Sequence, residues 1–347
     1  MALFLVVLGV LIIFHEFGHF IFAKRFGVRV SNFAVGFGPT IAKWTRGETT
    51  YRLNLLPLGG YCQMVGEDQA DDGSADPGNF QHHPLWQRFI IILAGPVFNL
   101  VLAVAIAAGI ASSVGIAVGP TNVVEIVESG SPAALAQLQP GDEIETVNGV
   151  AFKSGQELVD YIHARPEQVL DVGIKRGGQV VTQRIRTEKK SAPDGTTYGA
   201  LGFLPRQEMQ RRALGPALVW GVTSTATFLW INATGLITVF SHHDISGLTG
   251  PVGIYRVFTQ AEQVGWVQAL TLVGEISALL GFFNLLPVPA LDGGRLIFLF
   301  VEFVRGRPVD PEKEGLVHLT GFALLMMLVL FVTYHDIAMW VSGKGGL

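Results

Sequence analysis

The chain has 347 residues, of which 49% are hydrophobic and only 15% charged, with a mean hydropathy of +0.42. That balance excludes an ordinary soluble enzyme and is that of a polytopic membrane protein with a modest aqueous portion. A net charge of −4 leaves no basic footprint, so no nucleic-acid partner is expected, and the single cysteine, Cys62, excludes an internal disulfide.

The first apolar run, residues 2–23, contains His15-Glu16-Phe17-Gly18-His19. Residues i and i+4 share a helix face, so the two imidazoles can hold one metal ion, with Glu16 beside them to take a proton from a metal-bound water. A chance match to this pattern in a chain of this length arises at on the order of 1%. The rival reading, structural histidines in a soluble core, sits badly with a segment this long and apolar. Ionisable groups at membrane depth are costly and read as functional. Lys24 and Arg25 follow the run and no basic leader precedes it, so it reads as a retained helix, residues 1–26, and not as a signal peptide.

Residues 27–65 alternate apolar and polar side chains around glycines, the pattern of strands and turns, and are expected to form a β region. Residues 66–84 are acidic and read as a loop, with His82-His83 as solvated residues. Residues 85–115 form the second apolar span, containing Gly95-Pro96 and Asn99. Residues 121–205 read as a soluble α+β module: a strand at 123–127, a helix opening at Ser131-Pro132, an amphipathic helix at 156–165 and a hairpin across Gly177-Gly178. On Pro140-Gly141-Asp142-x-Ile144 and Val147-Asn148-Gly149 this module resembles a bacterial PDZ domain. Such domains bind chain ends or extended strands beside a helix. Residues 199–203 are candidates for the groove strand and carboxylate loop. A spacer that filters bulky substrates without binding them is the other reading.

Residues 206–266 include an apolar stretch, 213–240, which is expected to lie on the outer surface or pack against the bundle without crossing. His242-His243-Asp244 reads as a solvated turn. Residues 267–304 form a third span broken by Pro287, Pro289 and Gly293-Gly294, a break tolerated only where protein or a watery cavity satisfies the backbone. Asp292 is a carboxylate at that break. Together with His15 and His19 it would leave one position of a tetrahedral zinc open for water, whose pKa would fall to roughly 7. Residues 316–341 form a fourth span, in which His318 reads as a packing or interfacial residue. Lys24, Arg25, Arg29, Lys43, Arg46, Arg52 and Arg88 lie between the first two spans, and Arg305, Arg307 and Lys313 between the last two. Both loops are therefore expected in the cytoplasm, with the termini and the PDZ-like module outside.

On His15-Glu16-x-x-His19, Gly95-Pro96 with Asn99, and Asn284-x-x-Pro287-x-Pro289-x-Leu291-Asp292-Gly293, the chain resembles the site-2 protease family of intramembrane metalloproteases. The resemblance covers essentially the whole chain and is nearest to the bacterial regulator-of-sigma-E type, here with room for one PDZ domain where the enterobacterial protein has two. It implies a polytopic α-helical fold of about four transmembrane helices, with a membrane-associated β-hairpin region and one inserted PDZ-like α+β domain. It implies a Zn2+ cofactor held by His15, His19 and Asp292, Glu16 as catalytic base, and substrate contacts from Asn284, Pro287, Pro289 and Gly36-Phe37-Gly38. The implied reaction is cleavage of transmembrane segments of single-span membrane proteins, for example anti-sigma factors or signal-peptide remnants. The implied setting is the lipid bilayer of a bacterial inner membrane, with the chain as a multi-pass monomer. The alternatives are a non-catalytic receptor or chaperone working through the PDZ-like module, and a metal transporter, whose ligands would line a path instead of converging on one point.

Overall fold

The computed structural model describes residues 2–67, 76–192, 195–242 and 250–341. The chain divides into two compact units, Met1–Ile110 with Leu214–Leu347, and Ala111–Ala213. The acidic run 68–75 and residues 243 and 244 of the His-His-Asp turn lie outside the described residues.

The first unit opens with α1 (Ala2–Phe26), whose 25 residues reach about 37 Å, more than the roughly 30 Å of bilayer hydrocarbon. Lys24 and Arg25 occupy its last turn, where cations complement unpaired carbonyls. β1 (Val30–Arg46) and β2 (Thr49–Met64) then pair in an unexpected way. Residues 30–35 pair with 60–64 on one side and with 50–53 on the other, while 40–46 pair with 49–54. Each long strand is therefore bent into two, and the predicted hairpin becomes a four-stranded mixed sheet in the order 60–64, 30–35, 50–54, 40–46, antiparallel at its two outer pairs and parallel between 30–35 and 50–53. The bend is pinned by Asn54, which donates to the Gly36 carbonyl at 2.8 Å and accepts from the Thr40 hydroxyl at 2.9 Å. Residues 60–64 form one edge of this sheet. α2 (Leu85–Ser113) follows and stays helical through Pro96.

The second unit contains β3 (Ile116–Val127), α3 (Pro132–Leu135), β4 (Glu143–Val147), β5 (Val150–Ala151), α4 (Gly155–His163), β6 (Val169–Arg176), β7 (Gln179–Arg186), β8 (Glu188–Ser191), β9 (Thr197–Ala200) and β10 (Phe203–Gln210). The sheet runs β10-β3-β4-β6-β7, with β5 on β4, and β8 and β9 form a separate ribbon. Ser131 and Ser154 cap the two helices by accepting from the backbone of Ala134 and Glu157. Val124, Ile144, Val147, Leu158, Leu170 and Val172 are fully buried between sheet and helices. This is the inserted PDZ-like α+β domain. It is longer than the 121–205 expected, because β3 and β10 continue as a ladder to Ile116 opposite Gln210.

The chain then returns as α5 (Leu214–His242), α6 (Pro251–Val264), α7 (Trp266–Leu285), α8 (Asp292–Arg305) and α9 (Pro311–Val341). Among the described residues, α1, α2, α5, α7 and α9 are long and apolar enough to cross a membrane. α7 runs antiparallel to α2: a methyl at Gly274 would touch Ile106, one at Gly281 would touch the Pro96 carbonyl, and Ser277 donates to the Asn99 carbonyl at 2.8 Å. α5 packs on the same pair, with Gly221 against Val104 and Ala108. α6 lies at the start of α1, where Phe258 meets Phe4, and near the end of α9, where the Asp336 carboxylate accepts from Gly253 at 2.8 Å. The break in the third apolar segment is confined to 286–291. Gly293 and Gly294, expected to help break the helix, are inside the first turn of α8, where any side chain would strike the Leu286 and Val288 carbonyls. α7 alone, with 20 residues, spans about 30 Å.

Within the PDZ-like domain, Asp142 is buried and clamps the Pro140-Gly141 turn, accepting from the Gln139 backbone at 2.8 Å and from Arg176 at 2.7 and 2.6 Å. The Arg176 guanidinium holds this carboxyl below the usual carboxylate range. Its contribution is therefore complete above about pH 4 and is lost as pH falls further, through the depressed value. Asp142→Asn should destabilise the domain by about 2 kcal/mol at pH 7, and by less near pH 3. Limited proteolysis of 111–213 in the intact chain measures both.

Candidate metal centre

α1 presents His15 and His19 on one face, and α8 begins at Asp292 directly opposite. His15 Nε2 lies 2.9 Å from Asp292 Oδ2, His19 Nε2 lies 3.5 Å from the same oxygen, and the two Nε2 atoms are 3.2 Å apart. Among the described residues these three form the group able to hold a metal ion. Ligands of a tetrahedral zinc, at about 2.0–2.2 Å from the ion, sit about 3.3–3.6 Å from one another, so the three atoms need spread by only a few tenths of an ångström to admit it.

The outer nitrogens show how the rings are aimed. His19 Nδ1 donates to the Ile91 carbonyl at 2.8 Å, and since a carbonyl only accepts, the Nε2 lone pair is turned to the centre. His15 Nδ1 faces the Asn99 amide at 3.4 Å. Asn99 is fully buried and its Oδ1 has no hydrogen bond. Turning that amide over lets Oδ1 accept from His15 Nδ1–H and sets the second lone pair inward. Asp292 Oδ2 is itself buried, with the two imidazole nitrogens as its neighbours. Three atoms of the kinds that ligate zinc thus converge, with the outer ring nitrogens held so that the inner ones can turn their lone pairs to an ion between them.

Neighbouring backbone leaves room for that ion. At Gly95 a methyl group would overlap His19 Nε2 and come within 2.9 Å of His15 Nε2. The centre opens into a cavity of about 550 Å³ lined by Glu16, Tyr61, Cys62, Gln63, Met64, Glu67, Asn284, Ala290 and Arg295. Glu16 is half-buried there, with its Cγ 3.3 Å from where a Cβ on Gly60 would stand, so the edge strand 60–64 runs beside the carboxylate. Arg295, on α8, pairs with Glu67, and Arg88, on α2, pairs with Glu302 further along α8.

The other expected substrate residues are distributed differently. Asn284 lines the cavity, with its amide nitrogen donating to Leu280 in its own helix at 2.9 Å. Pro287 and Pro289 are not among the lining residues; Pro289 rests against Gly321 of α9, and the pair shapes the break by having no N–H. Gly36, Phe37 and Gly38 form the bend of β1, one step removed, where the Phe37 ring stacks on Tyr61. Gly60 and the roles of Gly95, Ile91 and Asn99 at the two histidines escaped the sequence reading. Gly95-Pro96 and Asn99 were visible as a motif, but their contacts to His15 and His19 leave no local periodicity. In the PDZ-like domain, a second cavity of about 150 Å³ lies between α4 and β10, lined by Ile162, His163, Leu201, Gly202 and Phe203.

Gly95→Ala tests the centre without replacing any of the three candidate ligands. Alanine favours a helix interior over glycine by about 1 kcal/mol, so helicity should hold. Zinc affinity should fall about 100-fold, as measured by metal content and chelator competition.

Residues 3–328 match the model of peptidase family M50. The zinc metalloprotease RasP of Bacillus licheniformis is 32% identical over 96% of this chain and 97% of its own length. The regulator of sigma-W protease RasP of Bacillus subtilis is 30% identical over the same shares. A PDZ domain of an SdrC-like protein from Listeria monocytogenes is 30% identical over 25% of this chain and 87% of its own, with a TM-score of 0.22. The chain belongs to peptidase family M50, the site-2 protease family, and is a multi-pass membrane metalloprotease.

Proposed function

We propose that the chain is an intramembrane zinc endopeptidase whose metal is held by His15, His19 and Asp292 and whose catalytic base is Glu16. The observation that carries this reading is the convergence of two imidazole nitrogens and one carboxylate oxygen at the wall of a cavity that also holds the Glu16 carboxylate. Bound zinc supplies a Lewis acid that acidifies water and polarises the scissile carbonyl. Glu16 takes a proton from the attacking water and returns it to the amide nitrogen as the C–N bond breaks. Ile91 and Asn99 hold the imidazoles in the ligating tautomer. A helical substrate hides its carbonyls, so it enters unwound. The unpaired edge 60–64 lies where an extended chain would add as a further strand, and Asn284 stands across the cavity from it.

The substrates in this reading are single-span membrane proteins, and the Bacillus subtilis relative is itself named for sigma-W regulation. The PDZ-like domain is assigned to the outside and the basic loops to the cytoplasm of a bacterial membrane. Connectivity supports this reading. α5 is about 43 Å long, and 250–265 lie where α1 and α7 begin. The eight steps from 242 to 250 reach at most about 29 Å, too short to return from a full perpendicular crossing.

Glu16→Gln should keep its zinc and lose at least about 100-fold in turnover on a reconstituted single-span substrate, whereas His19→Ala should lose zinc and turnover together. Zinc loss in Glu16→Gln would instead place that carboxylate among the ligands. Cysteine labelling should report the cytoplasm at Arg307 and the outside at Arg184; a cytoplasmic Arg184 overturns the orientation.

A further inference from the structure

The backbone that delivers Asp292 to the centre is itself held in an unusual shape. Between α7 and α8, residues 286–291 are irregular, and Ala290 has φ +78°, in the left-handed region that a residue with a Cβ rarely adopts. Pro287 and Pro289 carry no N–H. The remaining donors are spent nearby: Leu286 on the Phe283 carbonyl at 3.0 Å, Val288 on Leu286 at 2.7 Å, and Leu291 on Val288 at 3.2 Å. Ala290 is the exception. Its N–H donates across to α9, to His318 Nδ1, at 2.9 Å.

The surroundings of His318 are built for this contact. One turn further on the same face of α9, Gly321 admits the Pro289 carbonyl, which would lie 2.8 Å from any Cβ there. Phe298 of α8 packs against the His318 ring, with centroids 5.4 Å apart. Because Nδ1 accepts, the ring proton is on Nε2, which is buried without a hydrogen bond; the Glu314 carboxylate is 3.8 Å away. The imidazole is thus used through one atom, and that atom fixes the peptide two residues before Asp292. Ala290 also lines the catalytic cavity.

We infer that His318 is a positioning residue for the metal centre: it holds Ala290 in the left-handed conformation and so sets where the Asp292 carboxylate arrives. The inference rests on Asp292 being a metal ligand. The function assigned above needs the triad; it does not need α9, and this contact gives α9 a role at the centre.

The test uses the full chain in lipid nanodiscs, with zinc affinity from chelator competition and backbone hydrogen exchange of 286–292 as readouts. His318→Leu keeps the bulk and removes the acceptor, and should weaken zinc binding at least about 10-fold and speed exchange at 290. His318→Asn places Oδ1 where Nδ1 stood, and should stay within about threefold of the wild type. Adding Ala290→Gly to His318→Leu removes the strain and should recover most of the affinity. A space-filling histidine predicts the reverse: leucine tolerated, asparagine damaging, and no rescue by Ala290→Gly. Either that order or an unchanged affinity in His318→Leu overturns the inference. If His318→Leu does not accumulate, recovery of folded, zinc-binding protein in the double variant supports it and absence of recovery overturns it. Asp292→Ala, measured alongside, separates the layers. Zinc retained there sinks the ligand assignment; zinc lost there but kept in His318→Leu sinks only the positioning role.

Discussion

A polar group inside hydrocarbon persists only where another group of the same protein answers it, and this constraint organises the whole membrane unit. His15, His19 and Asp292 answer one another across a space that a cation would fill on the proposed ligand set. Their outer atoms are answered by the Ile91 carbonyl and the Asn99 amide, and Asn99 is held in turn by Ser277 on α7. A chain of buried contacts therefore runs from α1 through α2 to α7. Remove any member and a buried donor or acceptor is left alone, at a cost of roughly 1–3 kcal/mol.

α8 shows the same logic with full charges. Three of its four charged side chains, Asp292, Arg295 and Glu302, turn toward the candidate metal centre, Glu67 and Arg88 respectively. The three contacts fix the helix in rotation and along its axis, which a purely apolar face cannot do in lipid, where neighbouring hydrocarbon is an equally good partner. A buried ion pair adds little net stability, but deleting one partner costs about 3–5 kcal/mol. The two pairs thus hold one position of α8 against others.

What could be read in the sequence was whatever obeys a local period or a short motif. His15 and His19 share a face because they are four apart, and Asp292 stood out as a carboxylate in a broken apolar run. The PDZ-like module was legible from Pro140-Gly141-Asp142, although Asp142 proves to be a clamp on Arg176 and the Gln139 backbone. The β region was recognised as strands, but its partners were not. Gly36 and Pro39 mark a bend as readily as an end, and only three-dimensional pairing shows 30–35 lying between two segments of β2. Gly293-Gly294 misled for a related reason: small residues signal close approach as well as helix breaking, and here they admit the preceding loop's carbonyls. His318 was read as a packing residue because the groups it serves, Ala290 and Pro289, come near it only after α8 has turned the chain back.

On the proposed ligand set, the two halves of the metal centre enter the membrane at very different moments of synthesis. His15 and His19 arrive with the first helix, whereas Asp292 emerges only in the last third of the chain, after the whole PDZ-like domain. Until then the nascent chain offers a two-histidine site with an incomplete shell. A ribosome that stalls anywhere earlier releases a membrane protein that cannot hydrolyse its neighbours. On that ligand set, proteolytic competence is deferred by chain order itself.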